Sequence, residues 1–406
     1  MPGDPFADLI APFSRRGIDL GLERLQEALA ELGHPERRFA AVQVAGTNGK
    51  GSISTMLERI ASAAGIRTGL YTSPHLLSWC ERIRLPSGLI SEAELRRQLE
   101  SLQPVGQRHN LTPFELITAA AFQAFAESGV ELAVLEVGLG GRLDATTVHP
   151  DRQVLALAAI GLDHTEHLGP TLAAIAAEKA GVMHPGAIAV SGPQQPEAAA
   201  VLEREASARR CRLRWVEPLP ATADGGPVLG LRGELQRHNG AVAQAAAHAL
   251  AERGWPITAA AIQRGLAQAR WPGRLERRRF RGRELLVDGA HNPPAALALR
   301  RELDAEAGEA GAPRRWLLGI QRHKDAPELL RMLLRPGDAV RVVPLPEHRS
   351  WTAAELAPPC PAAAIADGAP ELDANLSWLI ESEALPVVAG SLYLVAAVLP
   401  RLDATD

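Results

Sequence analysis

AAVQVAGTNGKGSISTMLERIASAA, residues Ala40–Ala64, decides the fold. Ala40–Ala45 is a short apolar run and reads as a strand, whereas Ser52–Ala64 has the length and composition of a helix. Between them lies Gly46-Thr47-Asn48-Gly49-Lys50-Gly51-Ser52. In such a strand–loop–helix turn, backbone N–H groups and the positive helix N-terminus converge on anionic oxygens, and a lysine adds a point charge. The loop departs from the plain GxxxxGK[ST] pattern, because Gly51 separates Lys50 from Ser52. ATP or GTP is the expected ligand, held by Thr47, Asn48, Gly49, Lys50, Gly51 and Ser52.

Outward from this unit, strands and helices alternate. Gly69–Thr72, Leu132–Val137 and Val154–Ile160 read as strands, and Pro113–Glu127 and Thr171–Gly181 as helices. Such alternation implies parallel βαβ units, hence an α/β sheet covered on both faces. The pattern loosens over Arg209–Glu234 and resumes with helices at Ala241–Arg253 and Thr258–Arg270. Trp271-Pro272-Gly273-Arg274 then breaks the chain direction, and strands return at Leu285–Asp288, Trp316–Ile320, Val340–Pro344 and Pro386–Gly390. A chain of 406 residues exceeds one ordinary core. Two domains are expected, 1–276 and 284–406, joined by Arg277–Arg283 as a solvated linker strand.

Composition narrows the classes of function. An apolar fraction of 46% and a charged fraction of 22% fit a soluble globular protein. A formal charge of -4 argues against a general nucleic-acid binder. Cys80, Cys211 and Cys360 are scattered and form no CxxC pair, which fits a reducing cytoplasm. Met1–Arg16 is interrupted by prolines and does not read as a signal peptide, and no long uncharged apolar run suggests a membrane span. A cytoplasmic enzyme without membrane or nucleic-acid partners, acting as a monomer, is expected.

Of 43 basic residues, only Lys50, Lys179 and Lys324 are lysine. Where arginine is used so freely, a retained lysine either marks a position that needs a compact ammonium, or one able to lose its proton, or is left over by chance. Three further features fall at predicted strand ends: Ser73 in Tyr71-Thr72-Ser73-Pro74-His75, Glu136 closing an apolar strand, and the pair Asp163-His164. Ligands of doubly wound sheets bind outside the carboxyl ends of the strands, so these groups are expected to face one crevice with the glycine loop. A nucleotide there needs a divalent cation with oxygen ligands.

Eight segments occur in one order: GTNGKGS (46–52), SPHL (73–76), EVGLGGRLDA (136–145), DHT (163–165), EKAG (178–181), PGR (272–274), DGAHNP (288–293) and GSLYL (390–394). Together they resemble the folylpolyglutamate synthase/dihydrofolate synthase family of the Mur-ligase superfamily, from about Ile18 to Leu394. The resemblance implies an N-terminal P-loop NTPase-like Mur-ligase central domain with a mostly parallel sheet, and a smaller Rossmann-like C-terminal α/β domain. It implies an ATP-dependent amide ligase that adds L-glutamate to dihydropteroate and to reduced folates through an acyl phosphate.

By the same resemblance, Lys50, Lys179 and His291 are catalytic, with Lys179 at a position carbamylated in this superfamily. Ser73, Glu136 and His164 look like ligands to Mg²⁺, two ions being implied. Asn239, Arg274 and Asp288 match nucleotide contacts. Thr112, Pro113, Phe114 and Glu115, with Leu143, Asp144 and Ala145, match the pterin side, and His291 and Ser391 match positions that receive glutamate. Departures are few: Gly233-Glu234-Leu235-Gln236 stands where relatives have a His-Gln pair, Gly240 replaces an alanine, Thr147 stands at a common asparagine, and His323-Lys324-Asp325 varies Asp-Lys-Asp. A single-activity synthase, a cell-wall ligase and a regulatory ATPase are the alternatives. The cell-wall ligases usually carry a UDP-sugar domain before the phosphate loop, and a regulatory ATPase would lack the acceptor motifs.

Overall fold

The computed structural model describes residues 4–307, 312–346, 348–358 and 363–404. The chain divides into two compact units, residues 1–230 with 236–270, and residues 231–235 with 271–406.

The first unit is built on eight strands: β1 (Ala40–Ala45), β2 (Thr68–Tyr71), β3 (Ile83–Leu85), β4 (Gly88–Leu89), β5 (Leu132–Glu136), β6 (Arg152–Leu157), β7 (Ile188–Ser191) and β8 (Arg212–Trp215). Their order is β4-β3-β2-β5-β1-β6-β7-β8. The ladders from β2 through β8 are parallel, and β3 and β4 are added antiparallel at one edge. β1 lies between β5 and β6 and is buried over Ala41–Ala45. That burial on both faces explains its apolar run, interrupted only by Gln43, since parallel sheets leave no face for an alternating pattern. Four helices matter for the site: α1 (Lys50–Ala63), α2 (Pro113–Glu127), α3 (Leu172–Ala180) and α4 (Glu234–Glu252). α1 follows β1 directly and packs its buried Ile53, Met56, Leu57 and Ile60 into the unit. α4 starts seven residues before the sequence-based expectation, because Glu234–Gly240 carries no helix-breaking residue except Gly240. Leu219 packs where an alanine side chain would stand at Gly240, 2.8 Å from that position, which accounts for the glycine here.

The second unit carries β9 (Glu276–Phe280), β10 (Arg283–Val287), β11 (Arg315–Leu318), β12 (Ala339–Val342), β13 (Ala364–Asp367), β14 (Val387–Ala389) and β15 (Asp403–Ala404). The order is β13-β12-β11-β14-β10-β9-β15, parallel from β13 to β10 and antiparallel beyond. Its core gathers Leu286, Trp316, Leu318, Leu329, Val340 and Val387. Arg277–Arg283, expected as a linker, forms the β9–β10 hairpin of this sheet, with Arg277 facing Leu286 and Phe280 facing Arg283 in register. The arginines misled the reading: Arg277 and Arg278 pair with Glu284 and Glu276 while their backbones join the ladder.

Candidate active site

The phosphate loop is held open by two glycines and two backbone bonds. Gly46 has φ 141°, and a side chain there would meet Ala158 Cβ at 2.6 Å. Gly49 has φ 100° and caps α1, with no side chain spent on the cap. Thr47 N and Asn48 N both donate to the Ala159 carbonyl, at 2.9 and 3.1 Å, so the loop is stitched to the segment leaving β6. Thr47 Oγ1 donates to the Gly161 carbonyl at 3.1 Å, and the Gly161 N–H lies equally close to it. Lys50 Nζ folds back onto the Thr47 carbonyl at 3.2 Å. Ser52 Oγ, on the first turn of α1, is buried and has no hydrogen-bond partner. A buried hydroxyl without a partner costs about 1–3 kcal/mol, a debt that a ligand oxygen or a cation would discharge.

Lys179, in the last turn of α3, is brought to this loop. Its Nζ donates to the Gly46 carbonyl at 2.7 Å, and the side chain is buried. Burial pushes the Lys179 ammonium down to about 7; Lys50 pushes the same way, while Asp163 and Asp144 oppose. This amine therefore gives up its proton far more readily than an ordinary lysine, and the unprotonated form can act as a nucleophile. Gly141 and Gly181 interlock around its helix end. A side chain at Gly141 would meet the Glu178 and Lys179 carbonyls at 2.9 Å, and one at Gly181 would meet Arg142 Cβ at 2.3 Å.

The three groups read as metal ligands divide. Glu136 ends β5, is buried, and its Oε2 accepts from Ser73 N at 3.3 Å, so two of the three share the edge of β2 and β5. His164 leads a short helix after β6 in a left-handed conformation, φ 51°, with its ring about two-fifths exposed and Nδ1 3.9 Å from Glu166. Among the described residues no cluster of three or more His, Cys, Asp or Glu forms a metal cage. One buried carboxylate with a hydroxyl and an imidazole suits an ion that arrives with phosphate oxygens as its other ligands, which is how Mg²⁺ is usually held. The unpartnered Ser52 Oγ adds a hard oxygen on the loop.

Asn239, from α4, stands over the loop. Its Oδ1 lies where a side chain on Gly49 would reach, 2.3 Å away, and its Nδ2 donates to Gln236 at 3.0 Å. Gln236, noted only as part of a sequence departure, thereby fixes the Asn239 amide. The pterin-side residues are largely occupied with one another. Thr112 and Glu115 form the capping box of α2, through Thr112 N to Glu115 at 2.7 Å and Glu115 N to Thr112 at 3.2 Å, and Arg24 pairs with Glu115 at 3.2 Å. Asp144, fully enclosed, accepts from Gly138 N, Leu139 N, Thr146 N and Thr146 Oγ1 at 2.6–3.0 Å. Burial holds its carboxyl above the usual range, against those bonds. Pro113, Phe114 and Leu143 are half-buried, and Ala145 is in the core. Phe114 fits because Gly138 has no side chain, the approach being 2.5 Å.

Sequence reading missed the support beneath these loops. Gln43, inside β1, donates to Thr146 and Thr147 at 2.8 Å and accepts from Arg152 at 2.7 Å. Arg152 also donates to the Val182 carbonyl at 2.9 Å, so the network runs from the Asp144 loop to the turn after Lys179. A glutamine and an arginine in otherwise apolar strands are the signal that could have found it.

In the second unit, Asp288 follows β10 and accepts from Leu275 N at 2.9 Å and Ala290 N at 2.8 Å. Burial raises its carboxyl and the Arg274 charge opposes this. His291 Nδ1 lies 2.8 Å from the Gly289 carbonyl. Ser391 follows β14, the neighbour of β10, and caps the helix Leu392–Val398 by accepting from Tyr393 N at 3.0 Å. Arg274, Asp288, His291 and Ser391 thus all belong to this unit. Lys324, after β11, is buried, with its carbonyl taken by Trp351 Nε1 at 3.1 Å.

Comparison with known proteins joins these observations. Residues 44–208 match the Mur ligase middle domain, and residues 274–401 match the C-terminal domain of dihydrofolate synthetase. The chain is 33% identical to dihydrofolate synthase/folylpolyglutamate synthase of Escherichia coli over 95% of this chain and 92% of that protein. Folylpolyglutamate synthase of Mycobacterium tuberculosis, solved with ADP and AMPPCP, superposes with a TM-score of 0.86 at 29% identity, covering 98% of this chain and 99% of that one. A bifunctional synthase solved with Mn, AMPPNP and L-glutamate superposes at 0.82 and 30% identity, covering 98% of each chain. With both domain types matched and the likeness running nearly end to end, the chain belongs to the folylpolyglutamate synthase/dihydrofolate synthase family of the Mur-ligase superfamily and is an ATP-dependent acid–amino-acid ligase.

Proposed function

We propose that this ligase adds L-glutamate to dihydropteroate and to tetrahydrofolate polyglutamates, with Mg-ATP as co-substrate. The observation that carries the site reading is Lys179: a buried amine at the mouth of a phosphate loop, bonded to Gly46 and holding its proton only weakly at neutral pH. A structural ion pair would have kept an ammonium on the surface at less cost.

In this reading Thr47–Ser52 hold the triphosphate, with Lys50 as a point charge. Asn239, Arg274 and Asp288 contact the nucleotide. Ser73, Glu136 and His164 hold the divalent cation, which when bound screens the like charges of carboxylate and triphosphate. Two Mg²⁺ ions are proposed. Neutral Lys179 reacts with CO₂: a C–N bond forms, one proton leaves, and the product is a carbamate anion suited to assist metal binding. An arginine could not do this. Phe114 and Leu143 flank the pterin, while Thr112, Pro113, Glu115, Asp144 and Ala145 shape that side.

The folate carboxylate takes the γ-phosphoryl group, which converts its oxygen into a leaving group. Glutamate, received by His291 and Ser391, attacks through its α-amine; the C–N bond forms, the C–O bond to phosphate breaks, and the amine loses a proton. Preorganised cations and dipoles supply most of the help such a step needs. Residues 1–276 are assigned to nucleotide binding and 284–406 to glutamate. The enzyme is proposed to work as a monomer in the cytoplasm; among the described residues no helix is long and apolar enough to cross a membrane.

The test is ADP release by the purified chain with ATP, Mg²⁺ and glutamate, supplying dihydropteroate or tetrahydrofolate in turn. Glutamate-dependent turnover with both supports the bifunctional reading. Turnover with only one narrows it to a single-activity synthase, and turnover with neither refutes it.

A further inference from the structure

Across the carboxyl edge of the second sheet, four loops are stitched side by side. Gly390 N donates to the Ala290 carbonyl at 2.9 Å, joining the loop after β14 to the loop after β10. Arg322 N donates to Arg349 O at 2.8 Å, and Trp351 N to Ile320 O at 3.0 Å, joining the loop after β12 to the loop after β11. Gln321 and Ser350 add a β-bridge. Gly390, at φ 102°, presses against Gly319 O, which a side chain there would approach to 3.0 Å.

Over this seam His348 stacks on Tyr393, ring centroids 3.9 Å apart and planes at 43°. His348 comes from the loop after β12 and Tyr393 from the helix after β14, while β11 lies between those strands. Two strand spacings separate the parents, roughly 10 Å, so the stacked pair arches across the end of β11. Beneath it Gly319 has no room for a side chain, since Leu345 Cδ2 would stand 2.7 Å away. Tyr393 remains 38% exposed, so its ring and hydroxyl are open to a ligand at this edge. The arch stands two residues from Ser391, and across β14 from it lies the His291 loop.

We propose that His348 and Tyr393 form the wall of the acceptor site opposite His291 and select an amino acid bearing a side-chain carboxylate. The inference rests on the reading above that His291 and Ser391 receive glutamate. A phenol O–H and an imidazole N–H are two donors that a carboxylate accepts and a neutral amide matches less well. Charge-assisted hydrogen bonds are about twice as strong as neutral ones. The stack holds both rings before the substrate arrives, so little side-chain freedom is lost on binding.

The experiment uses the full chain with Mg-ATP and the folate substrate that supports turnover. Tyr393→Phe, His348→Gln and the double Tyr393→Phe/His348→Gln variant are compared with Ser391→Ala. Rates are followed against L-glutamate and against L-glutamine, and melting curves confirm folding. Each single change is expected to raise the KM for glutamate about tenfold, the loss for one hydrogen bond to a charged group. The KM for ATP should hold within about twofold, and discrimination against glutamine should fall. Unchanged glutamate KM in the double variant, with Ser391→Ala impaired, overturns the arch proposal alone. Unchanged glutamate KM in Ser391→Ala as well overturns the reading of the acceptor site itself.

Discussion

Lys179→Met is expected to leave the enzyme inactive and its first unit more stable. The folded protein holds the Lys179 proton with a pKa near 7, pushed down from 10.5 chiefly by burial. In the unfolded chain the amine regains its ordinary value, so between those two values the unfolded state binds more protons than the folded one. Stability from this residue is therefore full above about pH 10.5 and is lost as the pH falls toward 7. The loss at pH 7 is roughly 4 kcal/mol. Methionine of similar reach removes the ionisation and also the bond to Gly46, worth about 1 kcal/mol. A net gain of roughly 3 kcal/mol at pH 7 follows, shrinking below about 1 kcal/mol by pH 9.5. Urea unfolding of wild type and variant in CO₂-depleted buffer at the two pH values measures both quantities. A variant no more stable than wild type at pH 7, or a gain that does not shrink with rising pH, refutes the reasoning. Assays of glutamate-dependent ADP release on the same samples should show no activity in the variant, the trade of stability for function expected at such a site.

Three further outcomes are expected. Ser52→Ala should stabilise the ligand-free protein by about 1–3 kcal/mol, because it removes a buried hydroxyl without a partner, yet weaken ATP binding at least about tenfold; urea unfolding and isothermal calorimetry check it, and unaltered affinity counts against Ser52 as a ligand. Gly49→Ala forces a side chain into φ 100° and onto Asn239 Oδ1, so about 1–3 kcal/mol of strain should appear, with ATP affinity lost in parallel; a denaturation midpoint equal to wild type would contradict it. His149, enclosed by Phe39 and Phe122, is pushed down to about 3 by burial, so its contribution is present above about pH 6.5 and lost as the pH falls. Roughly 2 kcal/mol should disappear between pH 7.5 and 5, and His149→Phe should abolish that part of the slope in urea titrations.

What was legible in the sequence was local. The loop Gly46–Ser52 could be read because a strand, its glycines and a helix follow within 25 residues of chain. Pro113–Glu127 carried its own start signal, Thr112 with Glu115 three residues on, and the helix has those bounds. That same pattern is a capping box, and it gives both side chains a structural occupation that family likeness alone does not suggest. Asn239 illustrates the opposite case: its contact with Gly49 depends on how α4 lies across the unit, which no short pattern encodes. The β9–β10 hairpin was misread because alternation is hidden when arginines on both sides of a strand find carboxylates. Gln43 and Arg152 escaped notice because each looks like an isolated polar residue until the strands stand side by side.

The stitching of the phosphate loop also dictates when in its own synthesis the chain can first hold a nucleotide. Thr47 is tied to Gly161 across 114 residues and Gly46 to Lys179 across 133. Until β6 and α3 have left the ribosome the glycine turn has nothing to fix it, and loop-closure entropy must be met before those bonds repay it. ATP therefore cannot template the nascent N-terminal half. Its capture marks the arrival of β6 and α3, so stalled chains ending before Gly161 should fail to retain nucleotide where chains reaching beyond α4 succeed.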